Sequence, residues 1–390
     1  MASTSVTRNR KHVSEQPFIP SLPDDIAMVV LSRVPPRSHA LLTGVCHKWR
    51  NLVNSTALYE QRKKAGNTTH FLCLLQAAPQ LNPKQPPIYN VSLLNEQNTW
   101  ERLPPIPEYR QWGLPLFSRL AAVSGRLVVV GGWNPATWET LRSVYVFSFS
   151  SWRWERGANM PSTRSFFACA AVGDYIFVAG GHDNTKMALA SAERYDLKTD
   201  SWEILPQMHE LRDECIGAVL NEKFHAISGY HTATQCKYVK SAEFYDPVSR
   251  AWSRIEEMIH VSPGAIVGAA GCLYAIHDRE ILAYCSSANK WEVLDELPVG
   301  DNGISPPLCI TSYDRKLVVT GTCNVDEEKY RTFLYNLPEK MSMVSESSKC
   351  KGIWEALPVD DQFLVIPVTA NATHASYVNF SLGCNCFVGP

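Results

Sequence analysis

The chain has 390 residues, a formal net charge of −1, 45% hydrophobic and 19% charged residues. This is an ordinary soluble composition, with room for two or three domains and enough apolar residues for a sizeable core. The charge balance excludes a global basic field for nucleic acid or an anionic membrane, so any charged partner must be read by a local patch. No stretch approaches the roughly 20 apolar residues of a membrane span. Residues 1–16, MASTSVTRNRKHVSEQ, carry no apolar signal segment and read as a solvated, mildly basic tail. The twelve cysteines include no C-x-x-C pair and read as reduced residues of an intracellular protein, cytoplasmic or nuclear. Cys384 and Cys386 form the one close pair, without a second pair to complete a metal site.

Residues 17–66 carry helix signals. Ser21 followed by Asp24 resembles a capping box, with Pro23 in the first turn. Leu22, Ile26, Val30 and Val34 share a face at helical spacing, and Pro35-Pro36 stops that helix. Ser38 can cap a second helix, with Leu42, Val45, Trp49 and Leu52 on one side. A third runs from Thr56 to about Ala65 and ends at Gly66. The expectation is a three-helix unit. It is small for a self-sufficient core and is completed by a partner or by the next domain.

From His70 onward the signals are strands. RLVVVGG, YIFVAGG, KFHAISG and KLVVTGT alternate with polar turns. These strand ends repeat. Gly132, Gly181 and Gly229 are 49 and 48 residues apart, and His277 and Gly321 continue the series without the glycine pair. Trp100, Trp154, Trp202, Trp252, Trp291 and Trp354 recur alongside. Phe147, Tyr195, Tyr245 and Tyr284 each stand seven residues before one of them. A unit of about 48 residues with four strand-like segments is a β-propeller blade. Six tryptophans predict six blades of four antiparallel strands over residues 67–370. The small first strand of each unit belongs near the crowded axis, and Tyr and Trp belong between the sheets. The segment QFLVIPVTA is expected to complete the first blade. Residues 336–352 read as an exposed, Ser-rich loop, and residues 371–390 have no place in the pattern.

Catalytic readings fail. The glycine pairs are not G-x-G-x-x-G and no helix follows them, and neither G-x-S-x-G nor H-E-x-x-H occurs. The eleven histidines lack metal spacing. No catalytic residue, cofactor or metal is expected. What remains is recognition. Arg164 and Arg212 each lie 16 residues before Gly180 or its counterpart Ser228, so both belong to one rim. There they anchor acidic groups of a partner or pair with Glu193 and Glu243. His182, Asp183 and His231 follow the glycine-ended strands, as rim contacts or as solvated loop groups.

Leu22-Pro23-Asp24-Asp25-Ile26, Leu31-Ser32-Arg33-Val34-Pro35 and Val45-Cys46-His47-Lys48-Trp49-Arg50-Asn51-Leu52 resemble an F-box. The glycine pairs with Glu193-Tyr195-Asp196-Trp202 and Glu243-Tyr245-Asp246-Trp252 resemble kelch repeats. Together they are similar to plant F-box/kelch-repeat proteins. GLPLFSRL, NPATW, RSFFACA, AGGHD and RDEC are similar to markers of one subgroup. The resemblance implies a non-catalytic adaptor. The F-box would dock a Skp-type adaptor of a cullin-RING ubiquitin ligase, and the propeller would recruit the protein to be ubiquitinated. Leu22, Pro23, Asp24, Ile26, Leu31, Val34, Pro35, Val45 and Trp49 would contact the adaptor or pack the unit. The subgroup implies phenylalanine ammonia-lyase or a related phenylpropanoid enzyme such as chalcone synthase as target, or a type-B response regulator of cytokinin signalling. A non-degradative scaffold is the alternative.

Overall fold

The computed structural model describes residues 17–338 apart from 78–85, 87, 96, 98, 235–236, 260–265, 314 and 326–329, and then residues 352–357 and 385–389. The N-terminal unit holds four helices: α1 (Asp24–Ser32), α2 (His39–Val45), α3 (His47–Val53) and α4 (Thr56–Lys64). The expected second helix is two helices, because Cys46 is fully extended at φ −160° and ψ 167°. Its sulfur then accepts the Trp49 N–H at 3.4 Å, capping α3. The expected capping box is also absent. Pro23 is itself the N-cap residue of α1, and Asp24 Oδ1 accepts the Phe18 N–H at 2.7 Å instead. Buried Arg62 of α4 donates to the carbonyls of Ser32 and Val34, both at 2.6 Å, which closes the open end of α1. Leu31, Leu52, Val53 and Leu58 make the small core.

Six four-stranded antiparallel sheets follow. The second blade comprises Arg119–Val123, Arg126–Val130, Val144–Ser148 and Arg153–Gly157. The third comprises Ala168–Val172, Tyr175–Ala179, Ala192–Asp196 and Ser201–Leu205, and the fourth Ile216–Leu220, Lys223–Ile227, Ala242–Asp246 and Ala251–Ile255. The first strand of each of these units lines the axis beside its neighbours. The approach is close: a Cβ on Gly217 would lie 2.3 Å from the Cys169 nitrogen. Outer tryptophans tie consecutive blades together. The Nε1–H of Trp154, Trp202, Trp252 and Trp291 donates to the carbonyl of Pro104, Ala158, Pro206 and Met258, at 2.7–2.9 Å. An aromatic partner stacks or tilts on each, as Tyr195 does on Trp202 with 5.0 Å between ring centroids.

The glycine pairs end the second strands. Gly181 has φ 79°, and a Cβ there would sit 2.2 Å from the Ser165 oxygen. That geometry admits only glycine. The fifth blade loses the pair for a simple reason. His277 pairs directly with Glu280 across a two-residue turn at Asp278-Arg279, so no long loop leaves its second strand.

Closure differs from expectation. The fourth strand of the first blade is Asn385–Gly389, antiparallel to Thr69–Ala77 with Leu72 opposite Cys386. The end of the chain therefore belongs to the propeller, contrary to the placement of residues 371–390 outside it. QFLVIPVTA, the Ser-rich stretch from 339 to 351 and the N-terminal tail lie outside the described residues.

The helical unit rests on the rim made by the short turns of blades two and three. Arg126 Nη2 donates to the Asn54 carbonyl at 2.6 Å, Ser150 Oγ to Asn54 Oδ1 at 3.2 Å, and Lys198 Nζ lies 3.4 Å from Glu60. The Tyr59 ring covers Gly125. The long loops at residues 131–143, 180–191 and 228–241 leave from the opposite rim.

Two candidate binding faces

The helical unit leaves two apolar stripes uncovered. At α1 these are Leu22, just before the N-cap, and Ile26 and Val30 at i and i+4 on the helix, each more than a third exposed. On α2 they are Leu41, 76% exposed, and Val45, 60% exposed. Asp24 begins the first stripe. Its bond from Phe18 N–H and then its 3.0 Å contact with Lys48 hold its carboxyl below the usual carboxylate range. A small unit with this much exposed aliphatic surface is built to be covered.

The second face is on the loop rim of blades two and three. Gly132, Gly181 and Gly229 each hand the chain to a ring-bearing residue: Trp133, His182 or Tyr230. Each of these bridges to Leu116, Ser165 or Asp213 on the incoming loop. The residue after each bridge is forced to positive φ: Phe117 at 54°, Phe166 at 55° and Glu214 at 50°. Bulky side chains in that conformation are uncommon and cluster at functional sites. Here they build an aromatic shelf. Trp133 meets Phe117 at 5.1 Å, Phe166 at 5.8 Å and Trp138 at 6.0 Å, centroid to centroid. Phe166 stacks on His182 at 5.3 Å, and Lys186 Nζ sits 3.5 Å over the Trp133 ring. His182 Nδ1 lies 2.9 Å from both oxygens of Asp213, which orients the ring. Its Nε2 and Trp133 Nε1 are buried without a partner among the described residues. Beside them Glu214 accepts from the hydroxyls of Tyr230 and Tyr238, and burial raises its carboxyl above the usual range.

Residues 19–61 match the family model of the F-box domain, and residues 91–286 match that of the KLHDC2/KLHL20/DRC7 Kelch-repeats domain. The F-box/kelch-repeat protein At1g80440 of Arabidopsis thaliana is 38% identical over 294 residues, covering 72% of this chain and 82% of that protein. The chain belongs to the F-box/kelch-repeat family. The F-box/kelch-repeat protein At1g15670 of the same plant is 35% identical, covering 80% of this chain and 90% of its own length. An F-box joined to kelch repeats supports the role of substrate receptor in a Skp–cullin–F-box ligase, with the F-box docking a Skp-type adaptor. Both matched regions are binding modules.

The F-box residues singled out in the sequence divide into two sets. Leu22, Pro23, Asp24, Ile26, Pro35 and Val45 are exposed and available to an adaptor, and Val34 is half-buried. Leu31 is core. Trp49 is half-buried against that core, and its Nε1–H reaches the Phe18 carbonyl at 2.5 Å. Leu41 was not anticipated, since nothing in the sequence shows that α2 turns it outward.

Of the two readings of the rim arginines the structure takes the second, pairing with Glu193 and Glu243, and their placement as partner contacts is corrected. Both are wholly buried inside their own blades. Arg164 donates to the carbonyls of Gly180 and Ser191, to Ser191 Oγ, and to Glu193 at 2.7 Å. Arg212 repeats the pattern one blade on, with Ser228, Ser241 and Glu243 at 3.1 Å. They brace the long loops and cannot meet a partner. His182 is also buried and supports the shelf from below. Asp183 is turned back to Thr185 of its own loop, and His231 is half-buried one residue past Tyr230. The shelf residues Phe117, Trp133, Trp138, Phe166 and Lys186 were not singled out in the sequence. A signal was available: the residue after Gly132, Gly181 and Gly229, which end the three matching strands, carries a ring.

Proposed function

We propose that the chain is the substrate-recognition subunit of a Skp–cullin–F-box ubiquitin ligase and directs a phenylpropanoid-pathway enzyme, phenylalanine ammonia-lyase, to degradation. The observation that carries the receptor reading is the opposition of the two faces. The apolar stripes of the F-box lie on the unit that caps the turn rim, and the aromatic shelf lies on the loop rim. A target held on the shelf stays clear of the F-box that brings in the ligase. The shelf is suited to protein anchors. Trp133 and Phe166 offer broad apolar contact, and Trp133 Nε1–H is a buried donor awaiting an acceptor. The choice of target rests on the subgroup motifs, three of which contain shelf residues: GLPLFSRL, NPATW and RSFFACA.

The test is a chase in plant cells. Co-expression of the full chain is expected to shorten the half-life of phenylalanine ammonia-lyase. Leu22→Ala with Pro23→Ala should restore it and abolish co-purification with the adaptor. Trp133→Ala with Phe166→Ala should also restore the half-life while keeping the adaptor. If the enzyme is stable throughout but chalcone synthase or a type-B response regulator is shortened, the target is wrong and the receptor role stands. Unchanged half-lives for every captured partner would leave a scaffold.

A further inference from the structure

A cavity of about 430 Å³ lies between the F-box and the first two blades, away from the aromatic shelf and beside the α2 stripe. Its lining includes Pro36 and Ala40 from the F-box and, from the propeller, the rings of Phe71, Phe149 and Trp152 and the polar Asn95, Ser150 and Glu101, whose carboxylate disfavours an anion. Mostly apolar walls, a few polar groups and a place at a domain junction are the marks of a small-molecule site, and the volume falls in the usual range of roughly 300–1,000 Å³.

The turn that builds one wall departs from the repeat. Trp152 has φ 56°, and its counterparts Asp200, Arg250 and Asn289 share that left-handed conformation at 47°, 55° and 49°. Three blades fill this strained position with polar residues suited to a solvated turn. Blade two fills it with tryptophan and leaves it 38% exposed. Phe149, in the same turn, stacks on Phe71 at 5.2 Å and 9°, and Trp152 stands at a steep angle to Phe149 at 6.1 Å. The wall is therefore a fixed corner of aromatic rings. Asn95 supplies a polar group. Its Oδ1 is occupied by the N–H groups of Gln97 and Thr99, both at 3.0 Å, and its amide nitrogen donates to no described residue.

We infer that this cavity binds a small, planar, uncharged aromatic molecule carrying a hydrogen-bond acceptor. The ring lies in the corner of Phe71, Phe149 and Trp152, and the acceptor takes the Asn95 amide N–H. Such a ligand touches F-box and propeller at once and fixes the angle between the adaptor and the bound target.

Prodan is a suitable probe: a neutral naphthalene ketone whose emission shifts to the blue in apolar surroundings. With the full chain in complex with its Skp-type adaptor, prodan is expected to give a saturable blue-shifted signal at one site. Ala40→Trp, which fills the cavity, should weaken binding at least tenfold. Asn95→Asp keeps the shape and the oxygen that accepts the Gln97 and Thr99 N–H groups but removes the amide donor. It should weaken binding about tenfold at an unchanged melting temperature, and it decides the matter if Ala40→Trp does not fold. Ile204→Ala, 72% exposed on the outer strand of the third blade, should change nothing. Absence of a saturable signal, or undiminished affinity in Ala40→Trp or Asn95→Asp, overturns the proposal. So does binding to the free chain that the adaptor abolishes, since the adaptor is then the occupant. Neither result bears on the target-binding rim, which the half-life experiment tests separately.

Discussion

The propeller closes on itself, so each blade buries its apolar faces against two neighbours. Trp154, Trp202, Trp252 and Trp291 spend their N–H groups on the blade before. The F-box has no such ring. Its core is four side chains with a few flanking residues, and it keeps Leu22, Ile26, Val30, Leu41 and Val45 in solvent. The same aliphatic residue types thus serve opposite ends. In the propeller most are consumed by folding, with scattered exceptions such as Ile204 and Val248 left in solvent, and in the F-box they gather in the two uncovered stripes. The difference predicts that damage to the propeller is read as lost stability, whereas damage to the F-box face is read as lost assembly.

The largest effect should come from opening the ring. Deleting residues 385–390 removes a whole strand from the first blade and exposes the edge of Thr69–Ala77. The expected outcome is loss of soluble, cooperatively melting protein. A truncated chain that melts like the full one would show that another segment closes the blade.

The next effect is local to one blade. Arg212→Ala leaves Glu243 buried beside a vacated guanidinium site, which costs about 3–5 kcal/mol for a broken buried pair. Denaturant unfolding measures the loss. Adaptor binding by the surviving folded protein should be unchanged. A loss below about 1 kcal/mol would mean that the backbone N–H groups of His209 and Glu210 satisfy Glu243 on their own.

Much of the propeller was legible because its physics repeats. Crowding at the axis demands small residues, the loop exit demands Gly181 and its equivalents, and the wedge between sheets demands Tyr195 with Trp202. One error in three copies is outvoted. The F-box has no copies to average, so the break at Cys46 was invisible: helical spacing runs through it, and only the backbone shows the extended residue. Closure by Asn385–Gly389 was missed because a strand far along the chain leaves no periodic trace. Arg164 and Arg212 were placed on the correct rim but at the wrong depth. Sequence spacing locates a residue along a blade, whereas burial depends on how the loop folds back over it. The shelf was hidden for a related reason. Phe117 and Phe166 look like strand residues until their positive φ turns them aside.

Acid separates the two regions next. Burial, and then the Arg62 charge, lowers His39 in the F-box to about 4. Burial, opposed by the bond with the Lys223 carbonyl, lowers His225 in blade four to about 4. Both are neutral when folded, whereas the unfolded side chains take up a proton near pH 6.5. The unfolded state therefore binds more protons between these values. Stability is fully present above pH 6.5 and falls as pH drops toward 4, by up to about 3 kcal/mol for each histidine. Hydrogen exchange can assign the loss by region. His39→Gln should flatten the pH dependence of protection in α1 and α4 and leave that of blade four untouched. If protection of the F-box falls with acid as steeply in His39→Gln as in the natural chain, His39 is not its cause.

The smallest effect tests the contrast most directly, because it compares two leucines of one unit. Leu41 contributes almost nothing to folding at 76% exposure, while Leu31 is 3% exposed in the core. Leu41→Ala removes apolar surface that only a partner can bury. It should weaken adaptor binding about tenfold, near 1.4 kcal/mol, with no change in melting temperature. Leu31→Ala should cost about 2–4 kcal/mol of F-box stability by leaving a cavity, and should weaken the adaptor only through that loss. Calorimetric titration of the adaptor, with a melt of each variant, measures both quantities. If Leu41→Ala binds the adaptor as the natural chain does, the exposed stripe of α2 is not part of the docking face, and α1 alone carries the contact.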